Sequence, residues 1–240
     1  MRRLRVLITG ASGDIGLALY NKLYADGRYE LYLHFRNQGS YRRVRSQIKP
    51  EHTTLLFADL CDKTAVKQLA AGLPVLDILV NNAGNFEAGS FFDTPLESIE
   101  RQLQVNYLSP LVLTHHVAKK MQQNGGGRII NLSSGSGNHK GLLPSFGYAA
   151  GKNGLSFMTQ ALAKELGPEH IIIVAVVLRF VQTRMLETYS EYYEAITGKK
   201  LDVGNVDTQL TLHSPHTIAE KLCNIISDDS LQSGDIIEIL

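Results

Sequence analysis

Tyr148 and Lys152 lie four positions apart in the segment YAAGK, inside a stretch near 146–166 that reads as a helix. Residues four apart share one helical face, so their functional groups reach a common site. A phenol titrates ordinarily near 10. A lysine ammonium beside it is expected to stabilise the phenolate and draw that pKa towards the working range, which makes Tyr148 a candidate general acid. Such pairs are common on helix surfaces, and this one gains weight only from its company.

A second group is VLITGASGDIGLAL, where glycines recur at 10, 13 and 16. A β-branched run enters it at Thr9 and a helix opens at about Asp14. Glycines let the chain turn sharply and approach a pyrophosphate, and the N–H groups and dipole of the helix start favour negative charge. Thr9, Gly10, Ser12, Gly13, Ile15 and Gly16 are therefore candidate cofactor contacts. A plain strand–helix turn is the competing reading, but this is the first such junction and a second strand follows it. Asp14 is also placed at the cofactor. It is expected to cap the helix through its side chain, with the carboxylate turned away from the phosphate.

These residues need a scaffold, and the hydrophobic pattern supplies one. Strands are expected near Leu4–Thr9, Glu30–Phe35, Thr54–Ala58, Ile78–Asn81, Arg128–Leu132, Ile172–Val177 and Asp235–Ile239. Helices are expected between them, near 14–25, 62–71, 96–121, 146–166 and 215–227. Several strands are apolar almost throughout, as in a sheet covered on both faces. Repeated strand–helix units imply a parallel sheet with right-handed crossovers. The expected architecture is α/β: one Rossmann-type, doubly wound parallel sheet of about seven strands, forming a single domain over residues 1–240.

Composition narrows the function classes. With 240 residues, 44% hydrophobic, 20% charged and a formal net charge of +1, the chain has no clustered basic face and nucleic-acid binding is not expected. The apolar run at the start stops at Thr9-Gly10, and the longest one, Ile171 to Leu178, is far too short to span a bilayer. Cys61 and Cys223 form no motif, so a reduced, cytoplasmic protein is the default expectation. No metal site is expected.

Cofactor choice is read at the end of the second strand, where NAD-using enzymes place an acid for the ribose 2′-hydroxyl. Here that strand reads LYLHFRNQ, with Phe35 at the acid's position and Arg36 next. A guanidinium suits a 2′-phosphate, so the expectation is NADP(H). Arg42, Arg43 and Arg45 add nearby positive charge or form a solvated helix face.

The pieces, taken in order, resemble the classical short-chain dehydrogenase/reductase family over almost the whole chain. They are TGASGDIG, Asp59-Leu60, NNAG at 81–84, Asn106, GRIINLSS at 127–134, YAAGK at 148–152 and the C-terminal SPHTIAEKL and SGDIIEI. The resemblance implies a catalytic group of Asn106, Ser134, Tyr148 and Lys152. Within it, Ser134 holds the substrate oxygen, Lys152 also holds the nicotinamide ribose, and Asn106 kinks the long central helix and holds a water for proton relay. Ser134 and Tyr148 are 14 positions apart, one more than the family spacing, which leaves Ser133 and Ser136 as fallbacks. The resemblance also assigns Asp59 and Leu60 to the adenine, Asn82, Ala83 and Gly84 (with Asn81) to the cofactor wall, where Asn81, Ala83 and Gly84 also stiffen the sheet, and Thr183 to the nicotinamide carboxamide.

The chain departs from the family after the sixth strand, where Leu178-Arg179 replaces Pro-Gly. Arg179 there is either a substrate-anion anchor or a solvent-facing residue. The stretch at about 184–213 is expected to form a substrate lid, with Tyr189, Tyr192, Tyr193, Phe86, Phe91, Leu142, Leu143 and Phe180 as pocket candidates. The leading activity is reduction of a small or carrier-bound carbonyl compound, similar to the 3-oxoacyl-carrier-protein reductases. A dehydrogenase of another alcohol or sugar and a non-catalytic NADP(H)-binding sensor are the alternatives. Apolar positions on more than one side of the two long helices, such as Leu103, Tyr107, Leu111, Phe157 and Ala161, imply a homo-oligomer, a tetramer or dimer.

Overall fold

A computed structural model describes residues 2–135, 145–202 and 211–239. Seven parallel strands form one sheet: β1 (Leu4–Ile8), β2 (Tyr29–Phe35), β3 (Thr53–Phe57), β4 (Ile78–Asn81), β5 (Gly127–Ser134), β6 (Ile171–Leu178) and β7 (Ile236–Ile239). Their order across the sheet is β3-β2-β1-β4-β5-β6-β7. The order reverses between β1 and β4, which opens a crevice at the carboxyl ends of those strands. The doubly wound sheet expected from the sequence is the fold observed.

The strands are apolar on both faces because both faces are covered. Val6 and Ile8 of β1 join one core cluster with Leu19, Tyr20 and Leu23 of α1 (Asp14–Asp26). The intervening Leu7 joins the opposite cluster, with Leu113, Val117 and Met121 of α5 (Ser109–Gln122). The same alternation sends Val174 and Val176 one way and Ile171 and Ile173 the other. The two-residue period of a strand thus builds two cores from one run. Leu7 is fully buried, and its replacement by Ala is expected to cost about 2–5 kcal/mol.

The other helices are α2 (Gln38–Arg42), α3 (Lys63–Gly72), α4 (Leu96–Leu103), α6 (Phe146–Leu166), α7 (Arg184–Thr197) and α8 (Pro215–Ser227). Asp62 caps α3 by accepting from Thr64 N and Ala65 N, and Ser214 caps α8 by accepting from Thr217 N. Asn37 and Ser40 form a reciprocal capping box at α2. The helix expected over 96–121 is divided by a π-helical turn at Gln104–Leu108. Pro110 lacks an N–H and cannot close an ordinary helical bond to the Asn106 carbonyl, which accounts for the irregularity.

Asn81 lies inside this framework and not at the cofactor wall assigned to it from the sequence. It is 1% exposed; its Nδ2 donates to Asn131 Oδ1 (2.8 Å) and Thr114 Oγ1 (3.2 Å), tying β4 to β5 and α5. After β6 the chain leaves the sheet and returns. Gln182 N donates to His213 O (2.9 Å) and His213 N to Phe180 O (3.0 Å), so the two ends of that excursion are joined at its base. Among the described residues, no helix is long and apolar enough to cross a membrane.

Candidate active site

The glycine turn after β1 is held from three sides. Gly10 has φ +67°, a left-handed conformation open to glycine. A Cβ on Gly16 would fall 2.6 Å from Gly10 O and 2.8 Å from Asn82 Nδ2, so no side chain fits there. Asn82 Nδ2 donates to Thr9 O (2.7 Å), while Thr9 Oγ1 accepts from Asn82 N and Ala83 N, each at 3.0 Å. Thr9 is itself buried and acts from behind the wall. His34 supplies the third tie: Nδ1 accepts from Gly10 N (3.2 Å) and Nε2 donates to Ala58 O (2.9 Å). Burial holds the His34 pKa below its ordinary value, which preserves the neutral ring that this pair of bonds requires.

Gly13 is the N-cap of α1 and contributes no side-chain acceptor. The cap expected from Asp14 is therefore not made. Asp14 sits one residue inside the helix, and its Oδ2 accepts from Arg184 N (3.1 Å) at the start of α7. The Arg184 guanidinium is 3.6 Å from Asp14 Oδ1 and donates to Ser12 O (3.2 Å). The helix start thus retains its positive end for an anion, with the carboxylate drawn off towards α7.

A cleft of about 580 Å³ runs along these residues, lined by Gly10, Ser12, Gly13, Asp14, Ile15 and Gly16 on one side. Asn82, Ala83, Gly84, Asp59 and Leu60 form the opposite wall, and Arg36, Ser40 and Arg43 lie at one end. Arg42 and Arg45 do not line it. Arg36 Nε donates to Asp59 Oδ2 (2.9 Å), and Asp59 Oδ1 accepts from Cys61 N (2.9 Å). The shape and donors fit a dinucleotide: a side-chain-free turn, an open helix N-terminus, and a basic end beside the neighbouring strand.

The cleft shares Ile15, Asn82, Gly84 and Thr183 as walls with a cavity of about 150 Å³. Ser134, Tyr148 and Lys152 line the cavity, Ser134 from the end of β5 and the other two from α6. Gly151 lets α6 approach closely, since a Cβ there would fall 2.7 Å from Asn106 Cβ. The Ser134 hydroxyl stands close enough to Tyr148 to lower its pKa. Lys152 is 4% exposed and its Nζ donates to Leu132 O (2.7 Å).

The titration of this group differs from the expectation. Burial raises the Tyr148 pKa above its ordinary value and the Ser134 hydroxyl lowers it; Lys152, 6.0 Å from the ring centroid, is not among the causes. Burial draws the Lys152 pKa down to about 8. The lowering of Tyr148 by its neighbour is thus not what this structure shows: the phenol is held protonated, the form a general acid needs.

Ser133, a fallback for Ser134, donates to Lys152 O (2.7 Å) and accepts from Ser156 Oγ (2.8 Å), which commits it to fastening β5 to α6. Ser136, Leu142 and Leu143 lie outside the described residues. Asn106 is fully buried in the π turn; its Oδ1 accepts from Asn85 N (3.0 Å) and its Nδ2 donates to Asn85 O (2.7 Å). It stands behind Gly84 and lines neither the cleft nor the cavity. Thr183 caps α7, its Oγ1 accepting from Leu186 N (3.3 Å).

The short chain dehydrogenase family model matches residues 5–194. This chain belongs to that family. D-xylose 1-dehydrogenase of Caulobacter vibrioides (strain NA1000 / CB15N) is 33% identical over 187 residues, covering 77% of this chain and 75% of that protein. The 3-oxoacyl-(acyl-carrier-protein) reductase FabG of Rickettsia felis is 30% identical over 224 residues, covering 93% and 89%. Among solved structures, a blue fluorescent protein from a metagenomic library in complex with NADPH superposes with TM-score 0.83 at 25% identity, covering 99% of this chain and 96% of that one. The chain is an oxidoreductase of the short-chain dehydrogenase/reductase family and resembles its 3-oxoacyl-carrier-protein reductases.

Several residues of this short-chain dehydrogenase were not found from the sequence. Asn85 is clamped by Asn106, and Glu87 N donates to Gln102 Oε1 (3.1 Å), which also accepts from Ser145 Oγ (2.8 Å). These bonds join the NNAG loop to α4 and the start of α6. Phe86 stands edge-on between Tyr148 (5.4 Å) and Tyr189 (6.4 Å), forming an aromatic wall of the cavity. Of the other pocket candidates, Phe180 lines the cavity, whereas Phe91 is exposed and packs on Phe92 and Phe146. Tyr193 packs on Tyr189.

Proposed function

We propose that this short-chain dehydrogenase reduces a carbonyl group to an alcohol with NADPH, with α7 as the described part of the lid expected over 184–213; residues 203–210 of that stretch lie outside the described residues. The observation that carries the reading is that Ser134, Tyr148 and buried Lys152 together line a cavity that shares walls with the dinucleotide cleft. When bound, the nicotinamide supplies the hydride. Ser134 holds the carbonyl oxygen by its hydroxyl and stabilises the charge developing there. Tyr148 delivers its phenolic proton to that oxygen, which completes the alcohol and leaves a phenolate. Lys152, with a pKa of about 8, releases a proton readily near neutrality and so suits its return to Tyr148. Asn106 positions the group from behind, through Asn85 and the contact with Gly151.

NADPH is preferred over NADH because Arg36, Arg43 and Ser40 gather where an NAD-using site would place an acid. A panel of ketones, ketoacids, sugars and acyl thioesters, followed at the nicotinamide absorbance with each cofactor, tests the reading. Reduction of at least one carbonyl with NADPH is the expected result. NADPH binding without turnover of any compound would instead favour a sensor.

A further inference from the structure

Two residues that line the cavity carry buried polar atoms with no hydrogen-bond partner among the described residues: Arg179, at Nε and Nη1, and Tyr189, at its hydroxyl. Leaving a buried donor unmade is costly, and more so when it is charged, so such groups call for a partner that the chain does not provide. The Arg179 side chain is only 9% exposed, which removes the solvent-facing alternative. Its third nitrogen, Nη2, donates to Glu238 Oε2 (3.0 Å) on β7, and Glu238 is itself 41% exposed.

The location follows from the sheet. Leu178 pairs with Ser134 in the β5–β6 register, so Arg179 leaves the sheet directly beside Ser134. Its guanidinium lies against the backbone of Gly135, where an added Cβ would fall 2.6 Å from Arg179 Cδ and 2.7 Å from both Nε and Nη1. A planar cation is thereby seated one residue from the hydroxyl that faces the substrate oxygen. Tyr189, from the lid helix, brings a second donor to the same cavity beside the Phe86 wall.

We propose that the cavity takes a carbonyl compound bearing a carboxylate, anchored by the Arg179 guanidinium with the Tyr189 hydroxyl as a second donor. The assignment rests on the carbonyl-reductase reading and names its substrate class as oxo acids. A carboxylate is acceptor-only and matches N–H groups and a phenol that have none. Glu238 shares the guanidinium through one nitrogen only, and its exposure lets water screen its charge.

Two measurements separate this inference from the reading beneath it. Calorimetry titrates hexanoate and hexanamide, an inert pair of nearly equal shape, into the protein saturated with NADP⁺. Hexanoate is expected to bind about tenfold to a hundredfold more tightly, the range of charge-assisted hydrogen bonds to a desolvated cation. Arg179→Met is expected to abolish that difference, and Glu238→Gln to widen it by freeing the guanidinium. Equal binding of the two probes, or a Glu238→Gln protein with no gain for hexanoate, overturns the proposal, and the second variant decides the matter if the first fails to fold. Separately, kcat/KM is compared for 3-oxobutanoate and its methyl ester. A protein that reduces the ester as well as the acid keeps the reductase reading and loses the anchor. Carboxylate-selective binding without turnover of either keeps the anchor and loses the reductase.

Discussion

Lys152→Met is expected to stabilise the protein while abolishing most of its turnover. Burial draws the Lys152 pKa from 10.5 to about 8, a displacement worth about 3 kcal/mol against the charged form. The unfolded chain therefore binds more protons than the native one between about pH 8 and 10.5. Native stability consequently rises with pH across that window, and the burden is fully present below it. Methionine removes the charge and fills the same apolar space, at the loss of the bond from Nζ to Leu132 O, about 1 kcal/mol. The balance at pH 7 is about 2 kcal/mol in favour of the variant, a rise in Tm of about 4–8 °C for a chain of this size. At pH 9.5 the titration burden falls to about 1 kcal/mol and the advantage vanishes. Thermal unfolding by circular dichroism at both pH values, with NADPH turnover measured alongside, checks the argument. A variant less stable than the wild type at pH 7, or equally favoured at both pH values, refutes it.

Other outcomes follow from the same geometry. Tyr148→Phe keeps the ring against Phe86 and is expected to bind NADPH normally while turnover falls at least roughly a hundredfold; near wild-type turnover of a confirmed substrate would require another acid. Arg36→Ala is expected to weaken NADPH binding about tenfold or more and leave NADH little changed, and equal loss for both would confine Arg36 to its Asp59 contact. Phe157 on α6 is 70% exposed and Leu108 beside α5 is 39% exposed, so we propose that these helices pair between copies in a dimer or tetramer. Light scattering at micromolar concentration is expected to give a multiple of the 26.5 kDa chain mass, and a monomer would remove that proposal.

What the sequence disclosed was what depends on local spacing. The glycine turn, the Tyr148–Lys152 pair and the apolar runs of the strands are each readable within about fifteen residues, because period and turn chemistry act at that range. What it hid depends on which strands become neighbours. Arg179 is buried because β6 runs between β5 and β7, a pairing that no local pattern encodes. Asp14 looked like a cap because its partner, Arg184, lies 170 positions away. The rise in the Tyr148 pKa is likewise a product of burial, to which Lys152, one helical turn along, makes no opposing contribution. The π turn, where the resemblance placed a kink at Asn106, has a local cause in the sequence: Pro110, four residues on, removes the donor a regular helix would need.

The bonds between Gln182 and His213 and between His213 and Phe180 have an evolutionary meaning. They fasten the neck of an excursion of roughly thirty residues, which otherwise meets the body through α7, at Asp14 and Ser12 from Arg184 and at Phe86 from Tyr189. Closing a flexible loop becomes harder only logarithmically, by about 0.6 kcal/mol for each doubling in length. The length of chain beyond this knot can therefore change at little expense to the sheet and helices below. Substrate preference becomes an interchangeable fitting on a chassis whose reacting groups on β5 and α6 stay where they are.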